Sequence, residues 1–166
     1  SEAGEIEFRP QWDAVSEIIG AAIPRAQPLL RRHRIRVEIE KDLPIIRVDS
    51  RAVTEVLYTL VDNAAKYSPP GTTILIAAKR YNDANILIAV EDEGKGVPSE
   101  LRERVFDKFF RAIRDGDTGV RQPPGSGVGL AIAKGIVEAH DGKIWVTEGK
   151  NGGARFEFAL PVGDED

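Results

Sequence analysis

At 166 residues the chain is long enough for one domain with a full hydrophobic core. A net charge of −4, from 23 basic and 27 acidic residues, argues against a dedicated nucleic-acid binder, and the absence of cysteine excludes a disulfide framework and a thiolate metal site. No apolar run approaches the roughly 20 residues of a membrane helix, no signal peptide is visible, and with no methionine even at position 1 the chain reads as a processed or excised piece of something longer.

Alternation in Glu5-Ile6-Glu7-Phe8-Arg9 predicts a short first strand. Trp12, Val15, Ile19, Ala22 and Ile23 recur at helical spacing, and Pro24 and Pro28 are expected to kink or end that helix. Ile35, Val37 and Ile39 alternate with charged residues, a strand with one wet face. Asp42-Leu43-Pro44 turns, and Ile45 to Val48 predicts another short strand.

Asp49 or Ser50 can cap the helix that follows, where Val53, Val56, Leu57, Leu60, Val61 and Ala64 form an apolar stripe ending at Ser68-Pro69-Pro70-Gly71. Thr73 to Arg80 and Asn85 to Glu91 predict a hairpin around Asn82-Asp83. Pro98 to Val105 reads as a short helix. Residues 111 to 126 are rich in Gly, Pro, Arg and Asp, and a loop this long inside a domain is a functional lid or a disordered segment. Val128 to His140 predicts a second long helix, closed by Asp141-Gly142. Lys143 to Thr147 and Ala154 to Leu160 predict a last strand pair across Asn151-Gly152-Gly153. The order implies an α+β fold, a two-layer sandwich with helices on one face of a mostly antiparallel sheet.

Four places carry candidate chemistry. The run Ile86 to Val90 delivers Asp92 to a strand end, where a carboxylate can accept a hydrogen bond from a ligand's amino group. Gly94 and Gly96 behind it permit unusual dihedrals and close approach of a flat ring. On the first long helix Glu55, Thr59 and Asn63 sit four apart, with Lys66 and Tyr67 a turn further, a polar stripe on an apolar helix. The Asn63 amide oxygen is a candidate Mg²⁺ ligand, since Mg²⁺ seeks hard oxygen donors and nucleotide phosphates. Gly125, Gly127 and Gly129 open the second long helix, whose N-terminal N–H groups attract phosphate. Leu130 stands where a Rossmann fingerprint needs its third glycine, and no Gly-Lys-Ser/Thr marks a P-loop. In Phe106-Asp107-Lys108-Phe109-Phe110-Arg111, two of the phenylalanines are expected in the core as lid anchors, and Arg111 is a candidate bidentate phosphate donor. His33 and His140 have no metal-spaced partners and read as capping or surface residues.

Together these stretches resemble the catalytic domain of sensor histidine kinases. Asn63-Ala64-Ala65-Lys66-Tyr67-Ser68 is similar to their N box, Asp92-Glu93-Gly94-Lys95-Gly96-Val97 to their G1 box, Phe106 to Arg111 to their F box, and Gly125 to Ile132 to their G2 box. Gly135 to Trp145 and Gly152 to Phe156 resemble the potassium-responsive KdpD branch. The resemblance implies a Bergerat-type ATP-binding fold over the whole chain, with a lid near 111–126. It implies Asp92 on the adenine amino group, Asn63 on Mg²⁺, and Lys66, Tyr67 and Arg111 near the phosphates. Gly94, Gly96, Val97, Phe109, Gly125, Gly127, Gly129 and Leu130 would complete the nucleotide site.

Three features depart from the family pattern. Thr59 stands where a second Asn is often found, Ala154 follows Gly153 where a Thr is common, and no histidine has a phosphoacceptor context. A phosphoacceptor and dimerisation domain is therefore expected to be absent from this chain. The resemblance further implies ATP and Mg²⁺ as ligands, that separate phosphoacceptor domain and a response regulator as partners, no nucleic-acid or membrane contact, and a cytoplasmic location. A gyrase- or chaperone-like ATP-driven clamp of the same fold, and a non-catalytic nucleotide-binding module, remain alternatives. The clamp enzymes typically carry a Glu where Thr59 stands, and a hydroxyl is not a base at neutral pH.

Overall fold

The structure is a computed structural model, and it describes residues 7–108, 110 and 127–163. Its elements in chain order are β1 (Gln11–Asp13), α1 (Val15–Ala26), β2 (Arg34–Ile39), β3 (Ile46–Val48), α2 (Ser50–Tyr67), β4 (Thr73–Asn82), β5 (Asn85–Glu91), α3 (Gly129–Ala139), β6 (Lys143–Glu148) and β7 (Ala154–Pro161). Five strands form one sheet in the order β2-β4-β5-β7-β6. β2 runs parallel to β4, and every other pairing is antiparallel. β1 and β3 make a separate antiparallel pair.

Period two along the strands and period 3.6 along the helices deliver one shared core. Ile74, Ile76, Ile86, Ile88, Val90, Phe156, Phe158 and Leu160 from the sheet pack with Ile18 and Ile19 of α1, Val56, Leu57 and Leu60 of α2, and Ala133 and Val137 of α3. This is the expected two-layer arrangement, with the helices on a single face. β5 lies between β4 and β7, so it is buried along nearly its whole length, and its end is a rigid place to hang a functional side chain.

Several local expectations are corrected. Residues 7–10 have no strand partner, and residues 5 and 6 lie outside the described residues. The Arg9 N–H donates instead to Asp49 Oδ2 at 3.0 Å, and the strand begins at Gln11, opposite Val48. Trp12 is therefore a strand residue, and α1 starts only at Val15. Pro24 does not end α1. Buried Ala22 and Ala26 hold the helix on both sides of it, and a 3-10 turn with Pro28 in its first positions follows. The helix expected over 98–105 is two single 3-10 turns, Ser99–Leu101 and Arg104–Phe106. A segment this short has little helical stability of its own, and the second turn is held by burying Val105 and Phe106.

The two long helices match their sequence signals closely. Asp49 caps α2 through Oδ1, which accepts from Ala52 N–H at 3.1 Å. α3 closes with Asp141 at φ +60° followed by Gly142.

Candidate functional site

The site is built around the end of β5. Asp92 is 1% exposed, and its backbone N–H donates to Ala154 O at 2.9 Å. Its Oδ1 accepts from Gly94 N–H at 2.8 Å and from Ala154 N–H at 3.2 Å. Two backbone donors on one oxygen fix the plane of the carboxylate. A carboxylate held this way is a directional acceptor for a donor such as an exocyclic amino group.

Bare backbone surrounds it. A Cβ on Gly153 would sit 2.1 Å from the Asp92 carbonyl oxygen and 2.7 Å from Oδ1. A Cβ on Gly94 would sit 2.0 Å from the Tyr67 carbonyl oxygen at the end of α2. Gly96 has φ +77°, and a Cβ there would lie 2.8 Å from Gly152 O. Three segments distant in sequence thus close on one spot: the C-terminus of α2, the turn after β5, and the β6–β7 turn. No side chain fits between them. Gly153, which sequence places only in a hairpin turn, lies against the Asp92 carboxylate and backbone. The Gly-Gly pair was the available signal, but its partner, Asp92, lies just past the end of a different strand, β5.

α2 forms one wall. Thr59 Cγ2 lies 3.2 Å from where a Cβ on Gly129 would stand, so the first turn of α3 packs on the middle of α2. Asn63, 8% exposed, is one turn beyond Thr59 and one turn before Tyr67. The polar stripe anticipated on this helix is split by the fold. Glu55 turns to α1, where it pairs with Arg25, whose guanidinium also lies 4.2 Å from the Tyr58 ring centroid. Lys66 Nζ donates to Asp62 Oδ2 at 2.9 Å, a half-buried pair within the helix. Such pairs contribute only about 0.3–0.5 kcal/mol, so the ammonium can exchange Asp62 for a stronger anion.

Val97 is buried, and Leu130 packs partly buried against the core. Gly127 has φ +80°, and Gly129 is the first residue of α3. The residue at the N-cap, Val128, makes no side-chain cap bond, so among the described residues no N-cap side chain occupies that helix start. Phe106 makes an edge contact with Phe156 at 5.9 Å, and Phe110 is buried beneath Arg104, which lies 5.2 Å from its ring centroid. These are the two core phenylalanines expected of that cluster. Phe109, Arg111 and Gly125, together with the anticipated lid, lie outside the described residues.

Beside Asp92, Arg155 donates to Glu91 Oε1 at 2.8 Å and to Glu157 Oε2 at 2.7 Å. Burial alone would lower its pKa, but the bonds and charges of Glu157 and Glu91 outweigh that, and the pKa is raised. The ion pairs lock β5 to β7 next to the Asp92–Ala154 bonds. Trp145 Nε1 donates to Glu157 at 2.8 Å and extends the brace to β6.

The histidines stand away from this chemistry. His140 ends α3 as a cap residue, and its ring is also buried between helices. Its Nδ1–H donates to Ile136 O at 2.8 Å, and its Nε2 accepts from Asp49 N–H at 3.0 Å. Those two partners select the neutral Nδ1–H tautomer. His33 Nε2 lies 3.1 Å from Ser68 Oγ and 3.3 Å from Ser68 O, at the end of α2. Among the described residues no group of three or more His, Cys, Asp or Glu side chains could hold a metal ion, and no helix is long and apolar enough to cross a membrane.

Residues 48–164 match the family described as Histidine kinase-, DNA gyrase B-, and HSP90-like ATPase. The adaptive-response sensory kinase SasA of Nostoc sp. is 38% identical over 132 residues, covering 80% of this chain and 32% of SasA. The sensor protein KdpD of Clostridium acetobutylicum is 34% identical over 161 residues, covering 95% of this chain and 17% of KdpD. The chain therefore spans a third or less of these curated relatives. Among solved structures, the nucleotide-free catalytic domain of histidine kinase ThkA superposes with a TM-score of 0.77 at 25% identity, covering 95% of this chain and 99% of that one.

Proposed function

The chain belongs to the histidine kinase-, DNA gyrase B- and HSP90-like ATPase family, and on that premise we propose that it binds MgATP and presents the γ-phosphate to a histidine on a separate phosphoacceptor domain. The observation that carries this reading is Asp92, a buried carboxylate clamped by Gly94 and Ala154 at the end of the central strand and roofed by a glycine that tolerates no side chain. In this assignment Asp92 accepts from the adenine amino group and so selects adenine over guanine. The backbone around Gly94 and Gly96 and the side chains of Val97 and Leu130 bound the ring. Gly127, Gly129 and the start of α3 face the phosphates, and Lys66, Tyr67, Arg111, Phe109 and Gly125 are assigned to the same nucleotide site.

The donor set fits a magnesium ion that arrives with the nucleotide. No acidic cluster among the described residues competes for it, and the Asn63 amide oxygen is a hard ligand on the wall shared with α3. Bound there, Mg²⁺ would neutralise phosphate charge. The chain's own contribution is positioning: a fixed adenine site and a fixed wall set the γ-phosphate in line for an incoming nucleophile.

Partners follow from the same reading. They are a phosphoacceptor and dimerisation domain of the kinase and, downstream, a response regulator, with the domain working in the cytoplasm as the ATP-binding unit of a larger sensor. The rival, an ATP-hydrolysing clamp, needs a base to activate water one turn before Asn63. That position is Thr59, whose methyl group packs toward Gly129, and Glu55 is committed to Arg25. The decisive experiment is titration with ATP in the presence and absence of Mg²⁺, followed by mixing with a phosphoacceptor domain. Base-stable, acid-labile label on that second protein supports the proposal, and rapid hydrolysis without transfer overturns it.

A further inference from the structure

We propose that the open edge of β2 pairs antiparallel with β2 of a second copy of this chain. Among the described residues β2 hydrogen-bonds only to β4, so its far edge is unpaired. Arg34 N–H donates to Thr72 O and Glu40 N–H to Ala78 O, which aims the even-numbered residues at β4. In a parallel pairing the N–H and C=O groups alternate sides. Ile35, Val37 and Ile39 therefore turn theirs to the open edge. An exposed row of unpaired donors and acceptors is a template for another strand.

The side chains say which strand. Around Val37 the sequence reads Arg34-Ile35-Arg36-Val37-Glu38-Ile39-Glu40, and its charge inverts through Val37. Set against itself antiparallel with Val37 opposite Val37, it places Arg36 opposite Glu38 twice and Ile35 opposite Ile39 twice. The backbone agrees with that register. Val37–Val37 and Ile35–Ile39 become hydrogen-bonded pairs, because those are the residues facing outward. Arg36–Glu38 become the closer, non-hydrogen-bonded pairs, where opposite charges interact best. Edges protected against association carry charges that repel a copy of themselves. This edge does the reverse.

In the single chain Arg36 turns along the strand to Glu38, with Nε donating at 2.8 Å, and Val37 is 41% exposed. Pairing exchanges that solvent-exposed ion pair for two cross-chain ones and covers Val37. Glu40 accepts from Arg80 N–H at 2.6 Å on its own chain, so the central Arg36 and Glu38 pairs carry the charge argument. The result is one continuous sheet of ten strands. With a single strand pair as its contact, the dimer is weak, and it gains weight wherever two copies are already held close.

The test is sedimentation velocity of the 166-residue chain across a concentration series, with unfolding temperatures recorded for each variant. The unsubstituted chain should associate reversibly. Arg36→Glu and Glu38→Arg should each weaken self-association by roughly 30-fold, because both cross-strand pairs turn repulsive. Mixing the two single variants should restore association as a heterodimer, and the double variant Arg36→Glu/Glu38→Arg should dimerise alone. Val37→Pro should abolish dimerisation, since the N–H it removes points away from β4. If that variant does not fold, the charge-swap mixture decides by itself. A chain that stays monomeric throughout, a dimer insensitive to the single swaps, or a mixture that fails to reassociate would each overturn the proposal.

Discussion

Replacing Asp92 tests the site and the fold separately, because its carboxylate serves both. Oδ1 accepts from the N–H groups of Gly94 and Ala154, and Asp92 is 1% exposed. Asp92→Ala leaves the buried Ala154 N–H and the part-buried Gly94 N–H without that acceptor, and the loss at a buried donor costs about 1–3 kcal/mol. Against a total stability of about 5–15 kcal/mol, this is a large destabilisation that would confuse any binding measurement. Asp92→Asn is the sharper probe. Its amide oxygen can still accept from Gly94 and Ala154, so the unfolding temperature should move little. Its other terminus becomes an N–H₂ donor, which cannot accept from adenine. The lost charge-assisted bond is worth about 1.5–3 kcal/mol, so ATP should bind roughly 10- to 150-fold more weakly. Titration calorimetry with ATP and GTP, together with thermal unfolding, reads both effects. Equal ATP affinity in Asp92→Asn and the unsubstituted chain, or equal ATP and GTP affinity in the latter, would refute the reasoning.

Gly153→Ala places a methyl carbon 2.1 Å from the Asp92 carbonyl oxygen. It should destabilise by about 1–3 kcal/mol and also weaken ATP, which thermal unfolding and calorimetry together will show. Asn63→Ala should abolish transfer to an added phosphoacceptor domain, measured with radiolabelled ATP, by removing the proposed oxygen ligand on α2. His140→Leu strips the acceptor from Asp49 N–H and the donor from Ile136 O. It should destabilise by about 1–3 kcal/mol in a denaturant titration and leave ATP affinity unchanged. The unsubstituted chain should turn ATP over very slowly and should not label itself at His33 or His140, which mass spectrometry of the labelled protein can establish.

Much of this protein is written locally. The apolar repeat through α2 and α3, the alternation in β4, β5 and β7, and the Asp49 cap depend on residues within a few positions of each other, and all were legible. The family resemblance was legible for the same reason, since each of the four boxes is a short run of sequence. Sequence alone thus determined the two-layer class and the family.

The tertiary structure decided what depends on distant partners. That β2 lies parallel beside β4, with its other edge unpaired among the described residues, follows from how α2 is carried across the sheet, and no local pattern states it. Trp12 looks helical by spacing, but β3 supplies a strand partner that spacing does not encode. His140 has its acceptor role only because α3 ends against the start of α2, 91 residues away in sequence. Ala154 meets the Asp92 carboxylate across 62 residues, and it does so because the β5–β7 register places them opposite. Periodicity reports which face of an element is buried. It does not report which element buries it, because that choice is made by the packing of the whole core.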